Sequence, residues 1–280
     1  MAYQSYGQAL RVAAGRLQHA GVASPEWDAR ILCAHLIHIG HMDIPLDQEP
    51  IPGFEVAFEA LVSRREAREP LQHILGVAWF GPLELAVGPG VFIPRPETEV
   101  LADWAVRQLA GVAAPRVVDL CTGSGALAAY VAHYVPAAQV WAVELADTAL
   151  AYARSNLAGS GVELLAGDAC AAATLADLDG TVDLIITNPP YVPRSEDLQP
   201  EVYADPDMAV FGGADGMEVI RELVPTLERL LAPGGQVGIE HDDATADLVC
   251  AQLAASGSFG GIGKLKDLTG RERFVTAVRR

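Results

Sequence analysis

Over the first 70 residues, apolar positions recur with the period of a helix. In residues 5–21, Leu10, Ala13, Ala14 and Leu17 share one face and Gly21 supplies a stop. A second helix opens at Ser24 as N-cap, with Pro25 at its first position and Glu26 in its first turn. Trp27, Ile31 and Ala34 share its face, and Gly40 ends it. After a turn rich in proline (Pro45, Pro50, Pro52), Phe54, Phe58, Leu61 and Val62 form a third stripe, closed by Pro70. These stripes predict a helical domain over residues 1–70. Residues 71–95 change character: Gly76, Gly81-Pro82 and Gly88-Pro89-Gly90 break short apolar stretches, as in a β-hairpin connector. From residue 96 to 280 the period alternates. Residues 116–121, 139–145, 163–168, 182–187 and 234–241 read as strands, with helices at 124–134 and 147–158 between the early ones. Residues 273–279 read as an antiparallel closing strand. Such alternation predicts a doubly wound, mostly parallel α/β sheet.

Chemistry-bearing residues collect where those strands end. The run Leu184-Ile185-Ile186 stops in Asn188-Pro189-Pro190-Tyr191, and two prolines cannot continue a ladder. The first strand ends in Asp119-Leu-Cys-Thr122-Gly123-Ser-Gly125, whose glycines let a ligand approach the next helix N-terminus closely. Glu144 ends the second strand, where a carboxylate can accept from ribose hydroxyls, and Asp168-Ala169 follows the third. On the glycine spacing alone a dinucleotide oxidoreductase, or a cofactor-binding module without catalysis, stays open, because Ala128 completes G-x-G-x-x-A.

Composition narrows the partners. With 51% hydrophobic and 20% charged residues the chain reads as a soluble globular protein, and the N-terminus lacks the apolar core of a signal peptide. Four scattered cysteines without a CxxC pair favour free thiols in a reducing cytoplasm over a disulfide framework or zinc site. The net charge is −17; residues 1–80 carry 6 basic and 9 acidic side chains, the remainder 13 and 27. Such a surface repels phosphate backbones and favours a basic protein partner over nucleic acid.

The glycine turn, the acidic residue ending strand two and the NPPY after strand four resemble class I S-adenosylmethionine-dependent methyltransferases that modify planar nitrogens. With "QHILGVAWFG", "FIPRPETE" (92–99), "AVFGGADGMEVIREL" (209–223) and "KDLTGRERFV" (266–275), the whole chain resembles the bacterial HemK/PrmC-type release factor glutamine methyltransferases. The resemblance implies a seven-stranded sheet. It also implies S-adenosylmethionine as cofactor, held by Asp119, Thr122, Gly123, Gly125, Glu144, Asp168, Ala169 and Asn188. Phe92, Arg95 and Glu97 would lie over the cofactor's methionine end.

The substrate implied is the Gly-Gly-Gln glutamine of class I peptide chain release factors, recognised through the helical domain by a monomeric enzyme that needs no metal, nucleic acid or membrane. A ribosomal-protein glutamine and a nucleic-acid base are the alternatives. Asn188, Pro189, Pro190 and Tyr191 would be catalytic. The Asn188 side-chain oxygen and the Pro189 carbonyl would each take one N–H of the glutamine amide, with Tyr191 packing its flat face. The family's Glu-x-Gly after strand five is replaced by a stretch with Asp242 and Asp243.

Other residues read blandly. His35, His38 and His41 fit a helix C-terminus better than a metal site. Cys121 reads as a small strand-end filler, and residues 63–69 as a solvated helix face.

Overall fold

The computed structural model describes residues 3–194 and 198–280, which form two compact units. The first comprises the chain up to Val77 together with Gln199–Ala204. Helix α1 (Tyr6–His19) starts at Ser5, whose side chain accepts from the Gln8 N–H, and buries Leu10, Ala13 and Leu17 as their spacing predicts. Helix α2 (Pro25–Ile37) departs from expectation. Trp27 is 51% exposed, while Asp28, Ala29, Leu32 and Cys33 turn inward. The cause is a charge pair: the Asp28 carboxylate takes Arg65 at 2.7 Å, with both side chains buried. Removing Arg65 would strand the buried Asp28 charge, at a cost of about 3–5 kcal/mol. The helix also ends earlier than Gly40, at Ile37, because His38 takes the left-handed cap (φ 55°) and donates its N–H to Ala34.

Helix α3 (Phe54–Glu66) buries Phe54, Phe58 and Val62. Its end is not simply a solvated face, since Arg65 and Arg68 both hold Glu201 of the returning segment. Residues 71–75 wind into a short helix, α4 (Leu71–Leu75), before the hairpin begins.

The hairpin pairs β1 (Val77–Phe80) with β2 (Leu83–Ala86). In the second unit a 3-10 turn (Pro96–Thr98) leads into α5 (Glu99–Gln108), and strands and helices then alternate. They are β3 (Arg116–Leu120), α6 (Ala126–Tyr134), β4 (Gln139–Glu144), α7 (Asp147–Asn156), β5 (Glu163–Ala166) and β6 (Val182–Thr187). After α8 (Asp207–Val210) and α9 (Glu218–Leu230) come β7 (Leu231–Glu240), α10 (Ala246–Ser256), β8 (Phe259–Lys266) and β9 (Glu272–Arg279). The seven strands β3–β9 lie in the order β5-β4-β3-β6-β7-β9-β8, parallel from β5 to β7, with β9 antiparallel to both neighbours.

Side chains alternate across the sheet. Val117, Leu184 and Ile186 pack with Leu101, Trp104 and Leu127 on one face, while Val118, Leu120 and Ile185 pack with Ile220, Leu223 and Leu227 on the other. Each fully buried aliphatic side chain contributes roughly 1.5–3 kcal/mol. From β3 the chain builds outward through β4 and β5, then returns to β3's other side with β6. That reversal leaves a crevice at the carboxyl ends of the strands. Among the described residues no helix is long and apolar enough to cross a membrane.

Candidate active site

A cavity of about 390 Å³ occupies that crevice, within the range of small-molecule sites. Thr122 and Gly123 border it after β3, Glu144 at the end of β4, Asp168 and Ala169 after β5, and Asn188 and Pro190 after β6. Phe92 borders it too, as expected. Three of its lining residues, Thr98, Met208 and Phe211, stand out in no strand-end pattern.

Glu144 organises the loops. Its Oε2 accepts the Gly123 N–H at 2.8 Å, and its Oε1 accepts those of Leu145 (3.0 Å) and Ala146 (2.8 Å). A carboxylate offers about four acceptor sites, so capacity remains for a ligand hydroxyl. Asp168 accepts the Cys170 N–H at 2.8 Å and is exposed to the cavity.

Asp119 differs from the expectation. It does not border the cavity; it is fully buried, and its Oδ2 accepts Thr122 Oγ1 at 2.5 Å and the Ala128 N–H at 3.1 Å. It therefore fastens the glycine turn to the start of α6, and burial pushes its carboxyl up to about 7 against those two hydrogen bonds. Gly125 likewise lies outside the lining: it caps α6 with φ 87°, and a Cβ there would press on Leu157 at 3.0 Å. Cys121 borders the cavity, and burial pushes its thiol well up, so it is no nucleophile.

The NPPY segment is anchored from behind. Asn188 turns its amide Nδ2 to Thr98 Oγ1 at 3.4 Å, and its Oδ1 accepts no hydrogen bond among the described residues. Pro189 and Tyr191 do not border the cavity. Tyr191 instead donates its hydroxyl to Glu240 Oε1 at 3.0 Å, so the lining aromatics are Phe92 and Phe211. The "GGADG" stretch explains itself here. A Cβ at Gly212 would stand 2.5 Å from the Pro190 carbonyl oxygen, and one at Gly216 2.1 Å from that of Tyr191. Only glycine lets this loop close against the NPPY backbone.

Arg95 and Glu97 also lie outside the lining. Arg95 pairs with the buried Asp205, which also accepts the Ile93 N–H at 3.2 Å. That pair holds the start of the stretch bearing Pro206 and Met208, both on the cavity. Asp242 and Asp243 make local contacts: Asp242 caps its own turn, and Asp243 pairs with Arg271 at 3.0 Å. His38 is a helix cap and His41 packs on Trp27, ring centroids 4.8 Å apart.

The donor set suits S-adenosylmethionine. Gly123 presents bare backbone, and a Cβ there would meet no protein atom within 4 Å. Glu144, Asp168 and Glu222 put negative charge around an apolar lining of Leu127, Leu145 and Ala169. That is what a cationic sulfonium carrying a ribose diol and an adenine requires.

Comparison with known proteins agrees. A family model described as "PrmC N-terminal domain" matches residues 8–76, and one described as "Methyltransferase small domain" matches residues 87–203. A release factor glutamine methyltransferase of Corynebacterium glutamicum is 56% identical, covering 97% of this chain and 98% of that one. Its counterpart from Mycolicibacterium smegmatis is 49% identical, covering 97% and 96%. Among solved structures, a methyltransferase from Pyrococcus furiosus shares the fold with a TM-score of 0.52 at 19% identity, covering 79% of this chain and 96% of that one. The chain belongs to the release factor glutamine methyltransferase family.

Proposed function

We propose that the chain transfers a methyl group from S-adenosylmethionine to the side-chain amide nitrogen of the Gly-Gly-Gln glutamine in class I peptide chain release factors. The observation that carries this reading is Asn188, set on the cavity with its Nδ2 occupied by Thr98 and its Oδ1 left as an acceptor. When bound, S-adenosylmethionine supplies an activated methyl group on a sulfonium. Thr122, Gly123, Glu144, Asp168 and Ala169 are the residues that would hold it.

The remaining task is orientation. An amide nitrogen is a weak nucleophile because its lone pair is delocalised into the carbonyl. Asn188 Oδ1 fixes one amide N–H, and with it the direction of the lone pair, which is a positioning contribution. Phe92, Met208 and Phe211 surround the reacting group with apolar surface and exclude water. The nitrogen that gains the methyl sheds one of its two protons to solvent or a nearby acceptor and becomes the secondary amide, so this reading assigns no general base.

One glutamine cannot mark one protein among thousands, so recognition extends beyond the chemistry. The helical unit is the proposed recognition surface, with Trp27, Met42 and Val56 exposed on it. The enzyme is taken to act as a monomer in the cytoplasm, and its charge of −17 disfavours a nucleic-acid substrate.

The test is methylation of purified release factor with labelled cofactor, followed by mass mapping. A single methyl on the Gly-Gly-Gln glutamine is expected. Transfer to a ribosomal protein or to DNA in its place would overturn the reading. A Trp27→Ser, Met42→Ser double variant should raise the KM for release factor several-fold and leave that for a short glutamine peptide unchanged.

A further inference from the structure

Strands β6 and β7 run side by side, with Thr187 in register with Ile239, so Asn188 and Glu240 follow as neighbours at the carboxyl edge of the sheet. Glu240 is 1% exposed. Its Oε1 accepts the Tyr191 hydroxyl at 3.0 Å, and its Oε2 meets no donor among the described residues. The Thr98 hydroxyl also stabilises its charged form, and Thr98 in turn accepts the Asn188 amide N–H. Burying a carboxylate this deeply is costly, and an apolar side chain would fill the space without that cost. Nothing in the transfer described above uses it.

We propose that Glu240 is a positioning residue for methyl transfer, the acceptor that sets the direction of the hydrogen bonds running through Thr98 to Asn188. The proposal rests on the reading of Asn188 as the residue that orients the substrate amide. A threonine hydroxyl has one proton. If that proton faces the Glu240 carboxylate, only lone pairs remain for Asn188, which must then present its NH₂ group to Thr98. Asn188 Oδ1 is thereby left for the substrate. An ionised carboxylate can only accept, so the order is enforced; a protonated one can donate to Thr98, turn its hydroxyl round and release the Asn188 amide to flip. Through Tyr191 the same carboxylate also pins the last residue of NPPY.

The charged neighbours of Glu240 are few. Arg273 of β9 favours its ionised form and Glu97 of the 3-10 turn opposes it, while Arg95 acts on Tyr191. Burial dominates and pushes the Glu240 carboxyl up to about 7. The order of the chain should therefore fail as pH falls through neutrality. Asp119 titrates in the same range from the other side of the cavity, so variants must separate the two.

The experiment has two arms, using the full chain. In the first, steady-state methylation of release factor is followed from pH 6 to 8.5 for wild type, Glu240→Leu and Glu240→Gln, with cofactor affinity measured by calorimetry. Glu240→Leu should lower kcat by about 10²-fold while the cofactor Kd and the release-factor KM stay within about threefold. Glu240→Gln keeps the volume but carries an NH₂ group that can donate to Thr98, as the protonated acid does. It should hold kcat near the low value wild type reaches at acid pH and show no further decline below pH 7.

The second arm needs no substrate: the side-chain amide NMR signals of Asn188 should shift in wild type with a midpoint near pH 7 and stay put in Glu240→Gln. Should Glu240→Leu fail to fold, Glu240→Gln and the amide signals still decide. Wild-type kcat in folded Glu240→Leu, an unchanged acid limb in Glu240→Gln, or Asn188 signals indifferent to pH would each overturn the proposal. If wild type methylates no release factor, the functional reading falls, while the amide signals still judge the role of Glu240.

Discussion

The two sides of the cavity are built differently. At the ends of β3, β4 and β5, carboxylates hold main-chain N–H groups close by in the fold: Glu144 those of Gly123, Leu145 and Ala146, Asp119 that of Ala128, Asp168 that of Cys170. At the ends of β6 and β7, side chains far apart in sequence hold one another, Asn188 with Thr98 and Tyr191 with Glu240, and beside them Arg95 holds Asp205 ahead of α8. The first arrangement makes a rigid cradle of backbone, suited to a ligand of fixed shape. The second leaves a single amide oxygen free and braces everything behind it, which suits orienting one reacting group. Binding and orientation should therefore fail separately.

The largest expected effect lies on the orienting side. Asn188→Ala removes the acceptor without touching the cradle, so kcat should fall by about 10²-fold or more, the scale that misplacement of a reacting group costs. Cofactor affinity, read by calorimetry, should stay within a few-fold. Parallel losses in both would erase the distinction between the two sides. Glu144→Ala tests the other side. Three N–H groups lose their acceptor, and at about 1–3 kcal/mol for an unsatisfied group the cofactor should bind roughly 10–100-fold more weakly. At saturating cofactor kcat should recover to near wild type, and if it does not, Glu144 also shapes the reacting centre.

That division also decides what could be read from the chain alone. Local interactions leave local signs. The glycines at 123 and 125, Glu144 at a strand end and Asp168 after another stand where short-range geometry needs them, and the three strands end within two residues of where the pattern predicts. The long-range pairs leave none. Thr98 is one hydroxyl in a Pro-rich stretch, Glu240 closes an apolar strand as any surface carboxylate might, and Asp205 sits among turn residues; only the fold brings each to its partner. The same holds in the helical unit, where Asp28 faces inward because Arg65, 37 residues on, meets it. Strand β8 was hidden for another reason. Gly260, Gly261 and Gly263 interrupt its alternation, and an edge strand pairing only with β9 tolerates them.

Asp119 belongs to the cradle yet is fully buried, and it provides the mildest test of the difference. Its folded carboxyl lies near 7 against an ordinary value of 3.8. Below that ordinary value both folded and unfolded chains hold the proton. Between it and 7 the unfolded chain has lost the proton and the folded chain keeps it, so folding stability declines as pH rises through this window. Each pKa unit corresponds to ~1.4 kcal/mol, and burial of Glu240 adds a second decline of the same sign. Asp119→Asn keeps an acceptor for Thr122 and Ala128 but puts an NH₂ group where Oδ1 has no partner. The variant should therefore melt lower than wild type at pH 5, by roughly 2–4 °C per kcal/mol lost. It should then lose less stability between pH 5 and 8, so the two curves converge. Melting curves across that range read the slope directly. Parallel curves would mean that Asp119 is ionised in the folded protein, stabilised by the turn it holds.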